Sequence, residues 1–254
     1  MYTSFARVYD QLMDSVDYLS WAQHYKALMD ACAVPQGGRV IECACGTGNL
    51  TLPLKRLGYR ITGTDLSEDM LAIAMEKARN QGLTIPFVKQ DMASLLVPRR
   101  VDAVLSTCDG VNYLADPNTA RAFFSAACQC LRPGGALIFD LSTPDKLKNT
   151  LGNQTLYSDD DQISYIWRNK WNEEASTVTL SLSLFVKRKD GAYDRLEESQ
   201  TQRAHERKEI KAWLQEAGFS DIHFFGRQRM TPPRAGDDRW HVCARKPKEE
   251  GSEA

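Results

Sequence analysis

Apolar residues in the first 143 positions fall into short runs separated by longer amphipathic stretches. The runs have the length of buried strands and occupy residues 39–43, 59–64, 85–89, 101–106 and 136–142. Helical spacing of apolar residues lies between them, at 48–57, 67–81 and 118–130. Residues 1–34 are also expected to be helical, up to the turn at Pro35-Gln36-Gly37-Gly38. This alternation predicts an α/β fold, with a mainly parallel sheet and helices on both faces.

The period changes after residue 143. Apolar residues at 178, 180, 182 and 184 alternate with threonine and serine, as in a strand buried on one face. Lys189-Asp190-Gly191 is typical of a hairpin turn. Together with alternating stretches at 163–171 and 192–203, these features predict a three-stranded antiparallel insert. A helix at 206–217 and strands at 220–226 and 239–245 would complete a seven-stranded sheet.

Composition narrows the choice of partner and compartment. The chain has 254 residues, a net charge of −1 and a pI of about 6.4, so it lacks the excess positive charge of a general nucleic-acid binder. It has no apolar stretch long enough to span a membrane and no signal-peptide layout at its start. Seven cysteines, an odd number without an export signal, indicate reduced thiols and a cytoplasmic location. The pairs Cys43/Cys45 and Cys128/Cys130 lack the spacing and nearby histidines of a zinc site, so no metal is expected.

The strongest chemical signal is the turn that follows the first predicted strand. That strand ends on Glu42, the chain turns through Gly46-Thr47-Gly48, and the second strand ends on Asp65. Carboxyl ends of parallel strands share one edge of a sheet, so these residues predict a nucleotide-type site. A dinucleotide site normally has a third glycine where this chain has Thr51, and Glu42 would repel a phosphate. S-adenosylmethionine (SAM), with an ammonium, a sulfonium and no phosphate, fits Glu42 better than NAD.

At these residues the chain resembles the class I SAM-dependent methyltransferases, whose first motif has the form acid-x-Gly-x-Gly-x-Gly. The matching segment begins at Glu42 and ends at Gly48, with Ala44 in place of the first glycine. Further family-like segments follow in the same order, at 63–67 with Met70, 90–92, 101–106 and 131–135. The resemblance covers most of residues 1–143. It implies a Rossmann-like fold with a mostly parallel seven-stranded sheet.

With this resemblance the chain divides into four expected parts. Residues 1–150 would form the SAM-binding core with an N-terminal helical lid, and residues 151–205 an antiparallel insert that caps the acceptor pocket. Residues 206–246 would return to the core sheet. Residues 247–254 are expected to form a flexible tail.

The expected cofactor contacts follow the motifs. Asp65 should accept hydrogen bonds from both ribose hydroxyls, because a carboxylate can take two donors in a fork. The resemblance implies that Asp91 accepts from the adenine amino group beside Met92, and that Leu66 and Met70 line the apolar face of adenine. The full set of expected cofactor-binding residues is Tyr9, Glu42, Ala44, Cys45, Gly46, Gly48, Asn49, Asp65, Leu66, Met70, Asp91, Met92 and Ser106.

The N-terminal segment supports two interpretations that are compatible. Tyr2, Phe5, Tyr9 and Asp10 resemble an opening that folds over SAM in several small-molecule methyltransferases. The other interpretation is an amphipathic helix that packs on the sheet.

The acceptor is expected beyond the fourth strand, at residues 106–113. Nucleic-acid amine methylases usually carry Asn/Asp-Pro-Pro-Tyr/Phe at this point, and no proline occurs here. Cys108 lacks the preceding proline of pyrimidine-attacking cysteines and is expected to be a buried thiol. The candidate bases are Asp109 and His205. The candidate acceptor-binding residues are Asn112, Tyr113, Tyr165, Trp167 and Arg203.

The position and ending of the insert resemble those of glycine and amino-sugar N-methyltransferases. The expected acceptor is therefore a small polar metabolite, with an amine as the favoured target, and the protein would be a monomer or homodimer. One alternative is methylation of RNA through the basic clusters at 99–100 and 187–189. Another is a SAM-binding sensor or partner protein without turnover.

Overall fold

The computed structural model describes residues 5–248, and its central layer is a seven-stranded sheet. The sheet is formed by β1 (Arg39–Cys43), β2 (Arg60–Asp65), β3 (Phe87–Lys89), β4 (Val101–Ser106), β5 (Leu131–Ser142), β10 (Ser220–Gly226) and β11 (Arg239–Arg245). Its strand order is β10-β11-β5-β4-β1-β2-β3. Strands β1 to β5 are parallel, and β11 runs antiparallel to both β5 and β10. The predicted Rossmann-like α/β fold is confirmed.

Helices cover both faces of this sheet because successive strand residues point to opposite sides. The helices are α1 (Ala6–Leu12), α2 (Tyr18–Ala31), α3 (Thr51–Arg56), α4 (Glu68–Asn80), α5 (Pro117–Cys130) and α6 (Arg207–Glu216). Val40 and Leu105 pack in one apolar cluster with side chains of α2 and α3. Their neighbours Ile41 and Val104 pack in a second cluster with α5 and α6. Two buried layers therefore hold the strand ends in fixed register.

The N-terminal helical region is two helices and not one. Asp17 begins α2, since its side chain accepts a hydrogen bond of 3.0 Å from the backbone N–H of Ser20. The residues between Leu12 and Asp17 leave the helical path, so α1 is a separate, short element. Tyr2, one of the residues of the predicted lid, lies outside the described residues.

The insert forms a separate antiparallel sheet with four strands instead of the predicted three. They are β6 (Thr155–Ser158), β7 (Ile163–Asn172), β8 (Thr177–Lys187) and β9 (Tyr193–Arg203), in that order. The additional strand, β6, is a short edge strand whose first three side chains are exposed. A strand exposed on both faces has no alternation of apolar and polar residues, so the sequence gives little sign of it. We call this second sheet the cap sheet.

The cap sheet turns its apolar face toward the core. Val178 and Leu180 of β8 cluster with Leu147, which lies in the π-helical segment Lys146–Leu151 that follows β5. At the other end, Leu184 clusters with Val8 of α1. Helix α1 and the cap sheet thus lie together over the carboxyl edge of the large sheet. None of the helices within residues 5–248 combines the length and apolar character needed to cross a membrane.

Candidate functional site

A cavity of about 650 Å3 lies at the carboxyl ends of β1, β2 and β4, beneath α1 and the cap sheet. This is the edge at which α/β sheets bind ligands. Its wall includes fifteen of the residues expected from the sequence: Tyr9, Glu42, Ala44, Cys45, Gly46, Asn49, Asp65, Leu66, Met70, Asp91, Met92, Asp109, Tyr113, Tyr165 and Trp167.

The turn after β1 presents bare backbone to this cavity. Ala44, Gly46 and Gly48 have φ angles of +52°, +55° and +75°, a region that glycine adopts without strain. A Cβ at Gly46 would meet no atom within 4 Å. A Cβ at Gly48 would lie 3.0 Å from Leu52 Cδ1 and 3.2 Å from Ala74 Cβ. Gly46 therefore faces open space, while Gly48, which does not line the cavity, lets two helices pack closely.

Asp65 is fixed by backbone donors on both sides. The N–H of Gly46 donates to Oδ2 at 2.8 Å, and the N–H of Ser67 donates to Oδ1 at 2.9 Å. Burial raises the pKa of Asp65, and these backbone hydrogen bonds oppose that rise. Each carboxylate oxygen has more than one acceptor site, so a second donor can be accepted on the cavity side.

Glu42 is a buried carboxyl group at the end of β1, only 1% exposed. The hydroxyls of Thr51 and Thr107 donate to its two oxygens at 2.6 and 2.8 Å. Burial raises the pKa of Glu42 to about 7, because the hydrogen bonds only partly offset the loss of solvation. A cationic ligand near this group would favour its ionised form. Thr51, which replaces the third glycine of a dinucleotide motif, is used to hold this acid.

The adenine end predicted from the sequence is a shallow rim of the same cavity. Asp91 accepts a hydrogen bond of 2.9 Å from the N–H of Ala93 and is exposed. Leu66 is 61% exposed, whereas Met70 and Met92 are buried. An apolar floor beside an exposed acid suits a flat base with an exocyclic amine.

Helix α1 is attached to the glycine turn through one side chain. Asp10 accepts hydrogen bonds from Thr47 Oγ1 at 2.6 Å, from Asn49 Nδ2 at 2.9 Å and from Lys77 Nζ at 2.7 Å. This arrangement places Tyr9 in the cavity wall, where burial raises the pKa of its hydroxyl well above the usual value. Lys77, on α4, was missed by sequence reasoning because nothing in its local sequence marks it as Asp10's partner.

The loop after β4 is held in an unusual conformation. Cys108 and Asp109 both have left-handed backbone angles, with φ of +54° and +67°. Their N–H groups donate to the carboxylate of Asp140 at 2.7 and 3.1 Å. Asp140 is fully buried and also pairs with Tyr25 and Arg239. Sparsely populated backbone angles of this kind persist where surrounding contacts enforce them, often beside a ligand site.

Asp109 is a poor candidate for a base in this arrangement. Arg239 makes a two-pronged ion pair with its oxygens, at 2.7 and 2.8 Å, and the hydroxyl of Ser142 donates to it at 2.8 Å. Burial alone would raise the pKa of Asp109, but Arg239 and Lys146 outweigh it and lower the pKa.

The thiol of Cys108 has a pKa raised by burial, so it is protonated at neutral pH.

The cap sheet supplies the opposite wall. Its cavity residues are Tyr165 and Trp167 on β7, Leu180 and Leu182 on β8, and Glu198, Gln200 and Gln202 on β9. Leu182 pairs in register with Glu198, and Leu180 with Gln200. The three β9 residues are two positions apart and therefore lie on one face of the strand. This spacing is visible in the sequence and could have indicated that they line the site together. Sequence reasoning missed Glu198 as a candidate site residue.

Five expected site residues do not line the cavity: Gly48, Ser106, Asn112, Arg203 and His205. Gly48 packs against helices, as described above, and Ser106 is fully buried next to Gly110. Asn112 uses its side-chain amide to bind the backbone of Ser142 and Arg203. Ser106 and Asn112 therefore support the loop after β4, and neither lines the cavity.

His205 and Arg203 form a separate buried group. His205 is 0% exposed, its Nε2–H donates to the carbonyl of Val111 at 3.1 Å, and its Nδ1 accepts from Arg203 at 2.8 Å. Burial lowers the pKa of His205 to about 4. Arg203 also pairs with Glu209 at 3.0 Å and stacks on Trp213. Both ring nitrogens of His205 are therefore occupied.

The donor set at the β1–β2 end of the cavity fits SAM. Glu42, Asp65 and Asp91 bring three carboxyl groups to this end. The two cations of the cavity wall lie elsewhere: Lys146 follows β5, and Arg239 begins β11. This charge distribution favours a cation and disfavours phosphate. The open space above Gly46 allows a ligand to approach the backbone. Of the described residues, no three His, Cys, Asp or Glu side chains are arranged to hold a metal ion.

Comparison with known proteins agrees with this chemistry. A methyltransferase-domain family model matches residues 40–135. A protein of Geobacillus sp. (strain WCH70), described as a methyltransferase of no stated substrate, is 34% identical over 245 residues, which cover 96% of this chain and 99% of the relative. A SAM-dependent methyltransferase of Clostridium acetobutylicum ATCC 824 superposes with a TM-score of 0.87 at 28% identity, covering 97% of this chain and 99% of its own.

The fold is shared more widely. The sugar N-methyltransferase KedS8 of Streptoalloteichus sp. ATCC 53650 superposes with a TM-score of 0.74 at 19% identity, covering 95% of this chain and 93% of its own. One family accounts for the glycine turn and for the acidic residues at the strand ends. It is also the family of the relatives that match this chain over nearly its whole length. The chain belongs to the class I SAM-dependent methyltransferases.

Proposed function

We propose that the protein transfers the methyl group of SAM to the nitrogen of a small polar amine. The observation that carries the proposal is Glu198, a carboxyl group on the cap sheet that is 9% exposed and borders the cavity. Gln200 and Gln202 beside it are uncharged, and the residue opposite it on β8 is Leu182. A desolvated carboxylate on such a wall favours an ammonium or amine over a neutral hydroxyl.

The expected role of Glu198 is to take the proton of the bound amine. An amine attacks as its free base, so an ammonium must lose a proton first. Burial raises the pKa of Glu198, and this makes its carboxylate a better proton acceptor. Asp109, with a lowered pKa, and His205, with both ring nitrogens occupied, are less suited to that task. We therefore assign the role of base to Glu198.

The rest of the site aligns the reactants and excludes water. SAM, when bound, supplies a methyl group activated by its sulfonium. Glu42 and Asp65 would hold the cofactor, while Tyr165 and Trp167 form an aromatic wall from the cap sheet. Displacement at a methyl group needs chiefly alignment and a dry site, which these side chains supply.

A structural relative that methylates nitrogen is consistent with an amine as the target. KedS8 is a sugar N-methyltransferase and has the same fold over nearly the full length. A shared fold does not assign a substrate, so the amine rests on Glu198 and the relatives only agree with it.

Methyl transfer from labelled SAM tests the proposal. The protein is incubated with [methyl-14C]SAM and either a low-molecular-mass metabolite extract or total RNA. Label should enter a small molecule as an N-methyl group, identified by mass spectrometry. Glu198→Gln should lower turnover by on the order of 100-fold without loss of SAM binding, because the general base is removed. Glu197→Gln, which changes an exposed neighbour paired with Arg195, is the matched control and should leave the rate unchanged.

The other outcomes separate the alternative functions. Label in the RNA fraction alone would indicate an RNA methyltransferase. SAM binding without label in either fraction would indicate a sensor or partner protein. A small-molecule product methylated on oxygen or sulfur would overturn the amine assignment.

A further inference from the structure

Lys146 is a half-buried lysine in the cavity wall with an incomplete set of partners. It begins the π-helical segment after β5, and its ammonium donates to the hydroxyl of Ser142 at 3.0 Å. An ammonium has three N–H donors, and this neutral hydroxyl is the acceptor it meets among the described residues. By contrast, Lys77 pairs with Asp10, and Lys246 donates to two backbone carbonyls. A partly desolvated cation with one neutral partner favours an anionic ligand.

Trp167 supplies a second donor in the same cavity, next to the segment that carries Lys146. Its indole Nε1–H is buried and finds no hydrogen-bond acceptor within residues 5–248. The ring borders the cavity and packs against the cluster that contains Leu147 and Leu151, which belong to the same segment as Lys146. A buried indole N–H usually has a partner. A ligand acceptor atom would supply it.

The charges near Lys146 leave it available. Arg239 is engaged by two carboxylates, Asp109 and Asp140, and stacks on Trp21. Asp140 in turn is held by Tyr25 and two backbone N–H groups, without contact with Lys146. Burial lowers the pKa of Lys146, while the attraction of Asp109, one hydroxyl away, opposes that change. Of the two cations in the cavity wall, Arg239 has ion pairs, whereas Lys146 has none with any residue from 5 to 248.

We propose that Lys146 and Trp167 receive an anionic group of the methyl acceptor, so that the acceptor is an amine that also carries a carboxylate or a phosphate. The inference rests on the function proposed above and adds the second recognition element. Glu198 would hold the amine, and the ammonium of Lys146 with the indole N–H of Trp167 would hold the acid group. The site would then reject simple amines, because they leave Lys146 unpaired.

The test begins with the product that the wild-type protein labels in the metabolite extract. This product is run on an anion exchanger at about pH 11, above the usual pKa of an amine, before and after treatment with a phosphatase. The expected product is retained as an anion. Loss of retention after phosphatase treatment, alone or following a phosphodiesterase that opens diester and diphosphate linkages, identifies a phosphate. Retention that survives both enzymes identifies a carboxylate. A product that is not retained overturns the inference, and the absence of any labelled product counts against the proposed function itself.

Variants then locate the recognition. Lys146→Met should raise the KM for the purified acceptor at least tenfold, with kcat and the affinity for S-adenosylhomocysteine within threefold. Lys146→Arg should restore most of the loss. Trp167→Phe, which keeps an aromatic side chain but removes the N–H, should raise KM severalfold. Lys148→Met is the matched control, since Lys148 lies on the same segment but pairs with exposed Glu173. If Lys146→Met leaves KM unchanged, or weakens S-adenosylhomocysteine binding equally, the assignment is wrong. Lys146→Gln serves in place of methionine if that variant does not fold.

Discussion

Gly46 and Gly48 show how two residues of one turn have different tasks. Both have positive φ, so alanine at either costs about 1–2 kcal/mol of backbone strain. Only at Gly48 would the new methyl group also crowd Leu52 and Ala74, for a total loss of unfolding free energy of roughly 2–4 kcal/mol. We expect Gly48→Ala to act mainly on stability and Gly46→Ala mainly on SAM affinity. Urea unfolding and calorimetric titration with SAM measure the two effects. Wild-type SAM affinity in Gly46→Ala would show that the cofactor does not approach this backbone.

Glu42 predicts a pH dependence of cofactor binding. Its pKa of about 7 in the ligand-free protein means that it is mostly protonated at pH 6 and mostly ionised at pH 8. If cationic SAM requires the carboxylate, affinity rises with pH up to about 7 and then levels off, with a loss of about tenfold per pH unit below that point. Calorimetry at pH 6 and 8, in buffers of different ionisation enthalpy, measures both the affinity and the released proton.

The same group has the opposite effect on ligand-free stability. A carboxyl whose pKa is raised on folding binds its proton more tightly in the folded state, so stability falls as pH rises from about 4.5 to about 7. The difference in unfolding free energy between Glu42→Gln and wild type should therefore shift in favour of the variant when the pH is raised from 5 to 8. The SAM affinity of the variant should not change between pH 6 and 8. A wild-type SAM affinity that is equal at pH 6 and 8 would contradict this role.

A larger share of the expected cofactor-binding residues than of the expected acceptor-side residues lines the cavity, for a physical reason. Glu42 and Asp65 end neighbouring parallel strands, so their meeting follows from the alternation of strands and helices alone. By contrast, His205, Arg203 and Asn112 find their partners only in the folded protein. His205, for example, bonds to the carbonyl of Val111, and Arg203 pairs with Glu209. No local pattern distinguishes a histidine with two satisfied nitrogens from one that faces a ligand. Such roles stay open until the packing is known.

Helix α1 is too short to be stable alone, so its position depends on side-chain anchors. Asp10 supplies one by accepting from Thr47, Asn49 and Lys77. We expect Asp10→Ala to loosen α1 and to speed dissociation of SAM about tenfold or more, equivalent to roughly 1–3 kcal/mol for lost charged hydrogen bonds. Stopped-flow measurement of cofactor release tests this.

Asp14→Ala is the matched control for that experiment. Asp14 lies just beyond α1, is exposed, and uses only its backbone in the described contacts. Its removal alters the charge of the segment equally but leaves the glycine turn attached. If both variants release SAM at the same rate, α1 is not held through Asp10.

The helices and strands could be predicted only where burial produces a regular spacing of apolar residues. Strands β1, β4 and β11 were predicted with nearly their observed bounds because most of their side chains are buried. The bounds of β10 were also predicted, although most of its side chains are exposed or half-buried, because Gly218 marks the end of the preceding helix. Edge strand β6 was missed because its side chains are exposed. Residues 1–34 were predicted to be helical with no internal break. Apolar spacing continues across the break before Asp17, although the helical backbone does not. Helical periodicity is insensitive to such a break when both pieces bury one face.

Across the whole molecule, the two sheets divide the site between them. The turns of the large sheet carry Glu42, Asp65 and Gly46, whereas the cap sheet carries Glu198 and Trp167. Helix α1 touches both parts, through Asp10 to the glycine turn and through Val8 to the cap sheet. This arrangement predicts that acceptor selection and cofactor affinity can be changed separately, except by substitutions in α1.

Trp167 and Arg203 test that division, since both belong to the cap sheet but only Trp167 lines the cavity. Trp167→Ala should reduce kcat/KM for the acceptor strongly while SAM affinity stays within about threefold, or ~0.7 kcal/mol. Arg203→Ala should instead lower the unfolding free energy by roughly 1–3 kcal/mol, because it leaves His205 and Glu209 without their partner. Its folded fraction should retain the wild-type acceptor KM. Thermal unfolding and steady-state kinetics on both variants separate the two effects. Loss of SAM binding in a folded Trp167→Ala protein would show that the cap sheet belongs to the cofactor site as well.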